Sequence, residues 1–248
     1  NNGFICLYNN YIDFFTILIT EDYTLFKKLE NQKKIRLSII EGLSKNTPYY
    51  LYAQAEIHLH WAFIRLKFDD YIKASYEFIR AYHLFEKNQE LYPDFTLNKK
   101  GMGLLHSMLA VVPDKYQWLL NLAGLQGNID LGLYELDEIL NDSKYDMYKN
   151  EVLFLVSILN INLRDNDVIS NRYLDMIGEG YKDNYLLNFA AARLSYNLSD
   201  NNWHYISLSV EQGINGSINL FIDGELVNSW SGDLSLNTDN GNSFLFGV

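Results

Sequence analysis

The chain has 248 residues, of which 48% are hydrophobic and only three are proline, a composition typical of a folded globular protein rather than a disordered one. Its formal net charge of -11 at pH 7 argues against a nucleic-acid partner, because neutralising phosphates requires a basic stripe and the sequence contains none. The single cysteine, Cys6, excludes a disulfide within the chain and leaves the redox compartment open.

The charge is unevenly distributed along the chain. All 20 basic residues precede residue 200, whereas the last 48 residues contain five acids and no Lys or Arg. The apolar stretches at 14–19, 104–112 and 152–163 are interrupted or shorter than the roughly 18 residues that a membrane span requires, so we expect no transmembrane helix. Since the chain begins Asn1-Asn2-Gly3 and its first methionine is Met102, we expect a processed chain or a fragment.

Apolar residues at alternating spacings of three and four predict α-helices through the first 200 residues. Thr47-Pro48 marks the start of one helix and Asp69-Asp70 a turn after it, Asn128 and Pro113 mark further starts, and Gly42 and Gly127 mark stops. The predicted helices are 5–19, 21–41, 48–68, 71–85, 99–111, 113–124, 129–141, 147–164, 167–178 and 184–198.

The helix over 48–68 is predicted to be amphipathic. Its apolar stripe would be buried, and the polar residues off that stripe would face a solvated or groove surface. The predicted buried set is Ala55, Leu59, Ala62, Phe63 and Leu66, and the predicted polar set is Gln54, Glu56, His60, Arg65 and Lys67.

A degenerate repeat is present in the helical part. Aligning Phe68 with Leu163 and Leu198 brings three small residues into register, namely Ala62, Ser157 and Ala192. The last two units lie 35 residues apart, and this spacing resembles the tetratricopeptide repeat, a helix-turn-helix of about 34 residues.

A longer set of motifs resembles a family of uncharacterised tetratricopeptide-type proteins from Bacteroidetes. The resemblance implies an all-helical solenoid over residues 1–200, with no catalytic residues to carry over. The motifs are 50–57, Trp61-Ala62-Phe63, 65–68, Pro93-Asp94-Phe95, 98–101 and Pro113-Asp114-Lys115-Tyr116.

After residue 200 the periodicity changes to the alternation of β-strands. Short strands are predicted at 203–210, 217–222, 225–230 and 243–247, with hairpin turns at Asn215-Gly216 and Asp223-Gly224. The segments around Trp203-His204 and Asp223-Gly224 resemble the central strands of laminin G-like and concanavalin A-like jelly rolls. We therefore predict a mainly α chain, with a tetratricopeptide-like solenoid over 1–200 followed by an incomplete antiparallel β meander over 201–248. Such a junction is expected from either a natural fusion or a chimera.

The sequence offers no catalytic, metal or cofactor constellation. Glu56 and His60 are four apart, as metal ligands on a helix are, but no third ligand follows. Gly101-Met102-Gly103 resembles part of a phosphate loop but lacks a preceding strand, so a turn at a helix start is favoured. No residue is predicted to be catalytic, and no cofactor or metal is expected.

The leading functional hypothesis is a non-enzymatic scaffold that binds a protein or peptide on the concave face of the helices. The predicted binding residues are Gln54, His58, Trp61 and Arg65. The alternative is a carbohydrate-binding or adhesive protein acting through the β segment, and an enzyme would need residues beyond this chain. Under the resemblance, a bacterial protein of the periplasm or cell surface is expected ahead of a cytoplasmic one.

Overall fold

The computed structural model describes residues 3–164, 167–195, 206–211 and 213–232. The chain forms two compact units, Asn1–Leu159 and Asn160–Val248. The composition break near residue 200 lies outside the described residues, as do Trp203, His204 and the predicted strand at 243–247.

The described residues form ten α-helices and one three-stranded antiparallel sheet, which confirms the mainly α fold with a small β meander. The helices of the first unit are α1 (Gly3–Thr20), α2 (Tyr23–Glu41), α3 (Pro48–Lys67), α4 (Tyr71–Leu91), α5 (Asn98–Leu109), α6 (Asp114–Leu122), α7 (Ile129–Leu140) and α8 (Lys149–Leu159). The elements of the second unit are a π-helical turn (Asn160–Arg164), α9 (Asp167–Ile177), a 3-10 helix (Gly178–Lys182), α10 (Tyr185–Ser195), β1 (Ile206–Glu211), β2 (Gly216–Ile222) and β3 (Glu225–Gly232).

The helix ends follow local sequence signals. Pro48 occupies the first turn of α3, where its missing N–H would have had no helical partner. The Asn128 side chain accepts a hydrogen bond from the Leu131 amide at 3.0 Å and caps α7. Gly42 terminates α2. These three predicted boundaries are confirmed.

Helix α3 lies at the centre of the first unit, where it packs against α1, α2, α4 and α5. Thirteen of its 20 residues are buried. The prediction of a single buried stripe is therefore wrong, because neighbouring helices cover several sides of α3. Four of the polar residues predicted to lie off the stripe are 1–6% exposed, namely Gln54, Glu56, His60 and Arg65.

The small residues of the predicted repeat are buried. Ala62 in α3 and Ser157 in α8 are 0% exposed, and Ala192 in α10 is 3% exposed. The hydroxyl of Ser157 donates to the Leu153 carbonyl at 2.6 Å, which satisfies it within its own helix. A larger side chain at these positions would have no room, because protein interiors are close-packed.

Helices α5 and α7 approach each other through glycines. A Cβ at Gly132 would lie 2.2 Å from Ser107 Oγ and 2.4 Å from the Gly103 carbonyl oxygen, while a Cβ at Gly101 would lie 2.0 Å from the Phe85 ring. Gly101 and Gly103 lie near the start of α5, where the sequence predicts a turn at a helix start. Gly101 allows α5 to pack closely against Phe85 of α4, and Gly103 and Gly132 allow α5 and α7 to pack closely against each other.

Replacing Gly132 with Ala should lower the free energy of unfolding by about 1–3 kcal/mol, because overpacking forces α5 and α7 apart. Gly42→Ala is the matched control, since a Cβ there meets nothing closer than 3.5 Å. Urea denaturation of both variants measures the difference, and an equal effect at the two positions would contradict close packing at Gly132.

The sheet in the second unit has the order β1-β2-β3. Ile206 pairs with Ile222 and Gly216 pairs with Gly232, with an irregularity between Leu220 and Phe221. The hairpin between β2 and β3 turns at Asp223 and Gly224, whose φ angles of 52° and 85° confirm the predicted tight turn.

Helix α1 is long and apolar enough to cross a membrane on length and composition alone, and no other helix in the described ranges meets that test. It contains one charged residue, Asp13, which pairs with Arg36 of α2 at 2.6 Å.

Candidate functional site

An ionic cluster lies inside the first unit around the ammonium group of Lys100, which is 3% exposed. Lys100 Nζ donates to Glu56 Oε2 at 2.8 Å, to Glu151 Oε1 at 2.7 Å and to the Tyr11 hydroxyl at 2.7 Å. Tyr11 in turn donates to Glu56 at 2.8 Å. These four residues join α1, α3, α5 and α8, and we call them the Lys100 cluster.

The charges of the Lys100 cluster depend on one another. Burial alone would lower the pKa of Lys100, but the carboxylates of Glu151 and Glu56 outweigh it and raise that pKa well above its usual value. Burial, together with the charge of Glu56, raises the pKa of the Tyr11 hydroxyl. Both shifts favour the protonated ammonium and the protonated phenol, and the cluster links four helices through hydrogen bonds.

His60 adjoins the Lys100 cluster and is neutral. Asn10 Oδ1 accepts from Trp61 Nε1 at 3.0 Å, so the Asn10 amide nitrogen donates to His60 Nδ1 at 2.9 Å. The imidazole stacks on Phe14 with ring centroids 4.5 Å apart. Burial, assisted by the positive charge of Lys100, lowers the pKa of His60 to about 3.

Glu56 and His60, the pair at metal-ligand spacing, do lie together, with Glu56 Oε2 and His60 Nε2 3.8 Å apart. Glu56 forms an ion pair with Lys100, and His60 is bonded to Asn10. Across the described residues, no group of three or more His, Cys, Asp or Glu side chains could hold a metal ion.

A second ionic cluster centres on Glu77 of α4. Its carboxylate contacts His58 at 2.6 Å, Arg65 at 3.4 Å and Lys33 of α2. Burial raises the pKa of Glu77, but the hydrogen bond from His58 and the charge of Lys33 outweigh it and lower the pKa to about 2. Arg65 also pairs with Glu30 at 2.6 Å.

The four predicted binding residues therefore lie in three different places. Trp61 is 0% exposed and packs in the core. His58 and Arg65 meet at Glu77, between α3 and α4. Gln54 lines a surface cleft of about 540 Å³.

The cleft is formed by three helices of the first unit. One face of α4 contributes residues at spacings of three and four, because Arg80, His83, Leu84 and Lys87 follow one another along it. The opposite wall comes from the end of α2, the following loop and the first turns of α3: Glu41, Lys45, Tyr50, Leu51 and Gln54.

The cleft carries an excess of positive charge in an acidic chain. Lys45, Arg80 and Lys87 are exposed, and no ion pair is found for them among the described residues. Of the described residues that line the cleft, Glu41 alone is acidic. The Lys45 ammonium lies 5.9 Å from the centroid of the Tyr50 ring. Such a surface can bind carboxylate groups.

The predicted binding residues include one residue of the cleft, Gln54, and none of its three cations. The signal was the series Arg80, His83 and Lys87 at spacings of three and four on a helix whose other face is apolar. Lys45 precedes the helix start at Thr47-Pro48 and joins them only through the tertiary fold.

Comparison with protein-family models, with curated proteins and with solved structures finds no match to this chain. The tetratricopeptide and jelly-roll resemblances therefore stay predictions. Function must be inferred from the geometry and charge of the cleft.

Replacing Lys100 with Met should lower the free energy of unfolding by about 3–5 kcal/mol, because it leaves two carboxylates without their buried counter-ion. The adjacent Lys99→Met is the control, since Lys99 and its partner Glu138 are 26% and 32% exposed and such pairs contribute less than about 1 kcal/mol. Urea denaturation measures both. An equal decrease in the free energy of unfolding in both variants would contradict a stabilising buried ion pair at Lys100.

His60 should make the first unit less stable in mild acid. Its folded pKa of about 3 is below the unfolded value of 6.5, so the stability it contributes is present above pH 6.5 and is lost as pH falls toward 3. The limiting slope is about 1.4 kcal/mol per pH unit. His58, whose pKa burial also lowers, acts in the same direction.

Urea denaturation at pH 7.5, 6 and 5 measures this slope, since Glu77 adds its own loss only below its unfolded pKa of 4.5. His60→Gln should have a shallower pH dependence than the parent chain, whatever its stability at pH 7.5. Identical pH slopes would show that the His60 ring is protonated in the folded state.

Proposed function

We propose that the chain is a non-enzymatic interaction scaffold whose cleft between α2, α3 and α4 binds an acidic segment of a peptide or protein. The observation that carries this proposal is the group of three exposed cations, Lys45, Arg80 and Lys87, which line one cleft in a chain of net charge -11. Cations without an ion pair in a concave site favour an anionic ligand.

The size of the cleft favours a short segment. A volume of about 540 Å³ accommodates a few side chains, within the range typical of ligand pockets. Leu51 and Leu84 line the cleft with apolar side chains, while Tyr50 adds a polar group beside them. The best match is a segment that combines carboxylates with one or two apolar side chains.

The proposal keeps one of the predicted binding residues, Gln54, and relocates the rest of the site. Trp61 has no exposed surface, and Arg65 already holds three carboxylates, those of Glu30, Asp70 and Glu77. Through Glu77, Arg65 joins α3 to α4, and these are two of the three helices that form the cleft.

The glycan-binding alternative rests on Trp203 and His204, which lie outside the described residues. The described part of the sheet contains no Lys or Arg, so it has no counterpart to the exposed cations of the cleft. The acidic-segment proposal is therefore favoured.

Fluorescence anisotropy with a labelled ten-residue peptide of Glu and Leu tests the proposal on the full chain. We expect saturable binding that weakens as salt rises, because screening reduces charge attraction. Arg80→Glu with Lys87→Glu should weaken binding at least about tenfold, which is a loss of roughly 1.4 kcal/mol.

The control carries the same change of charge elsewhere. Lys28→Glu with Lys34→Glu alters two exposed lysines of α2 that do not line the cleft. Binding by the control should stay within about twofold of the parent chain. Equal weakening in both double variants would mean that net charge, and not the cleft, governs binding. Turnover of a small molecule by the purified chain would contradict a non-enzymatic scaffold.

A further inference from the structure

Helix α1 exposes a continuous row of large apolar side chains, which we call the apolar stripe. Its members recur at spacings of three, four, three and four. They are Ile5, Tyr8, Ile12, Phe15 and Ile19, exposed by 59%, 73%, 59%, 43% and 67%. This spacing is that of the a and d positions of a coiled coil, in which each helix packs against another of the same kind.

The opposite face of α1 is fixed in the first unit. Asn10 bonds His60 and Trp61, while Tyr11 bonds Lys100. If α1 left to enter a membrane, the buried ammonium and imidazole would lose these partners, a change that costs several kcal/mol. The apolar stripe is therefore a surface of a folded unit.

The apolar stripe and its flanks contain no charge. Asn9 and Thr16 lie beside it, and the Thr16 hydroxyl is already bonded to the Ile12 carbonyl at 2.7 Å. Helices that lie on anionic membranes carry Lys or Arg on their polar face, whereas α1 has neither. Two copies of an acidic chain can approach here without placing like charges opposite each other.

The size of the apolar stripe agrees with a dimer contact. A large side chain has about 200 Å² of surface when it is fully exposed. The exposed fractions of the five stripe residues and neighbouring Phe4 therefore correspond to an accessible area on the order of 700 Å². A standard interface buries about 800 Å² per partner, and patches of this extent mark interaction sites.

We propose that the apolar stripe is the contact surface of a homodimer, in which α1 of a second copy packs along it about a two-fold axis. Ile12 is the middle residue of the stripe, so the two copies of Ile12 face each other whether the helices run parallel or antiparallel. This proposal is independent of the cleft and its ligand.

Sedimentation equilibrium of the full chain tests it first. We expect a species of twice the 28.9 kDa chain mass, populated at concentrations of about 100 µM and below. Ile12→Lys should raise the dissociation constant on the order of 100-fold, because it places two ammonium groups opposite each other. Ile72→Lys is the control, since Ile72 is 66% exposed on α4, outside the stripe.

Cross-linking locates the contact. In a Cys6→Ala background, Ile12→Cys should form a disulfide-linked dimer under mild oxidation, and Ile72→Cys should not. An Ile5→Cys cross-link forms only if the two helices are parallel, because an antiparallel pair sets residue 5 against residue 19.

A monomer at every concentration would overturn the proposal, and it would show that another segment or partner covers the apolar stripe. Equal effects of Ile12→Lys and Ile72→Lys would also overturn it, since association would then not involve α1. Binding of the parent chain to neutral phospholipid vesicles without dimerisation would assign the stripe to a membrane surface instead.

Discussion

The buried ammonium of Lys100 is the constraint on which the first unit depends. A charge that is 3% exposed is tolerable only if carboxylates hold it, and Glu56 and Glu151 do so at 2.8 and 2.7 Å. These partners come from α3 and α8, while Tyr11 comes from α1. Because these groups come from four different helices, we infer that the cluster helps to specify the arrangement that apolar contacts stabilise.

The same constraint decides which part of α3 is open to ligands. The polar groups in the middle of the helix are already bonded: Glu56 to Lys100, His60 to Asn10 and Arg65 to three carboxylates. Near its first turns, Gln54 lines the cleft, although it is 5% exposed and its amide nitrogen donates to the Tyr50 carbonyl at 2.8 Å. Helix α3 is thus mostly core, although its polar composition is typical of a recognition surface. The exposed cations of the cleft lie on α4 and in the loop between α2 and α3.

The helices and turns could be predicted from the sequence because their signals are local. Pro48, Asn128 and the Asp223-Gly224 turn act through residues within a few positions of themselves. The environment of α3 could not be predicted this way. Glu56 can be buried because Lys100, 44 residues away in the sequence, neutralises its charge. The spacing of apolar residues within a helix does not predict a partner so distant in the sequence. The cleft likewise required Lys45 to be brought beside α4 by the fold.

The most direct test of this account is to map peptide binding by NMR, following backbone amide shifts of the full chain as the acidic peptide is added. The account predicts saturable shifts that cluster around Gln54, His83 and Lys87, with Lys100 and Trp61 unaffected. Saturable shifts centred on the Lys100 cluster, or on the sheet of the second unit, would contradict it, and so would the absence of saturable shifts.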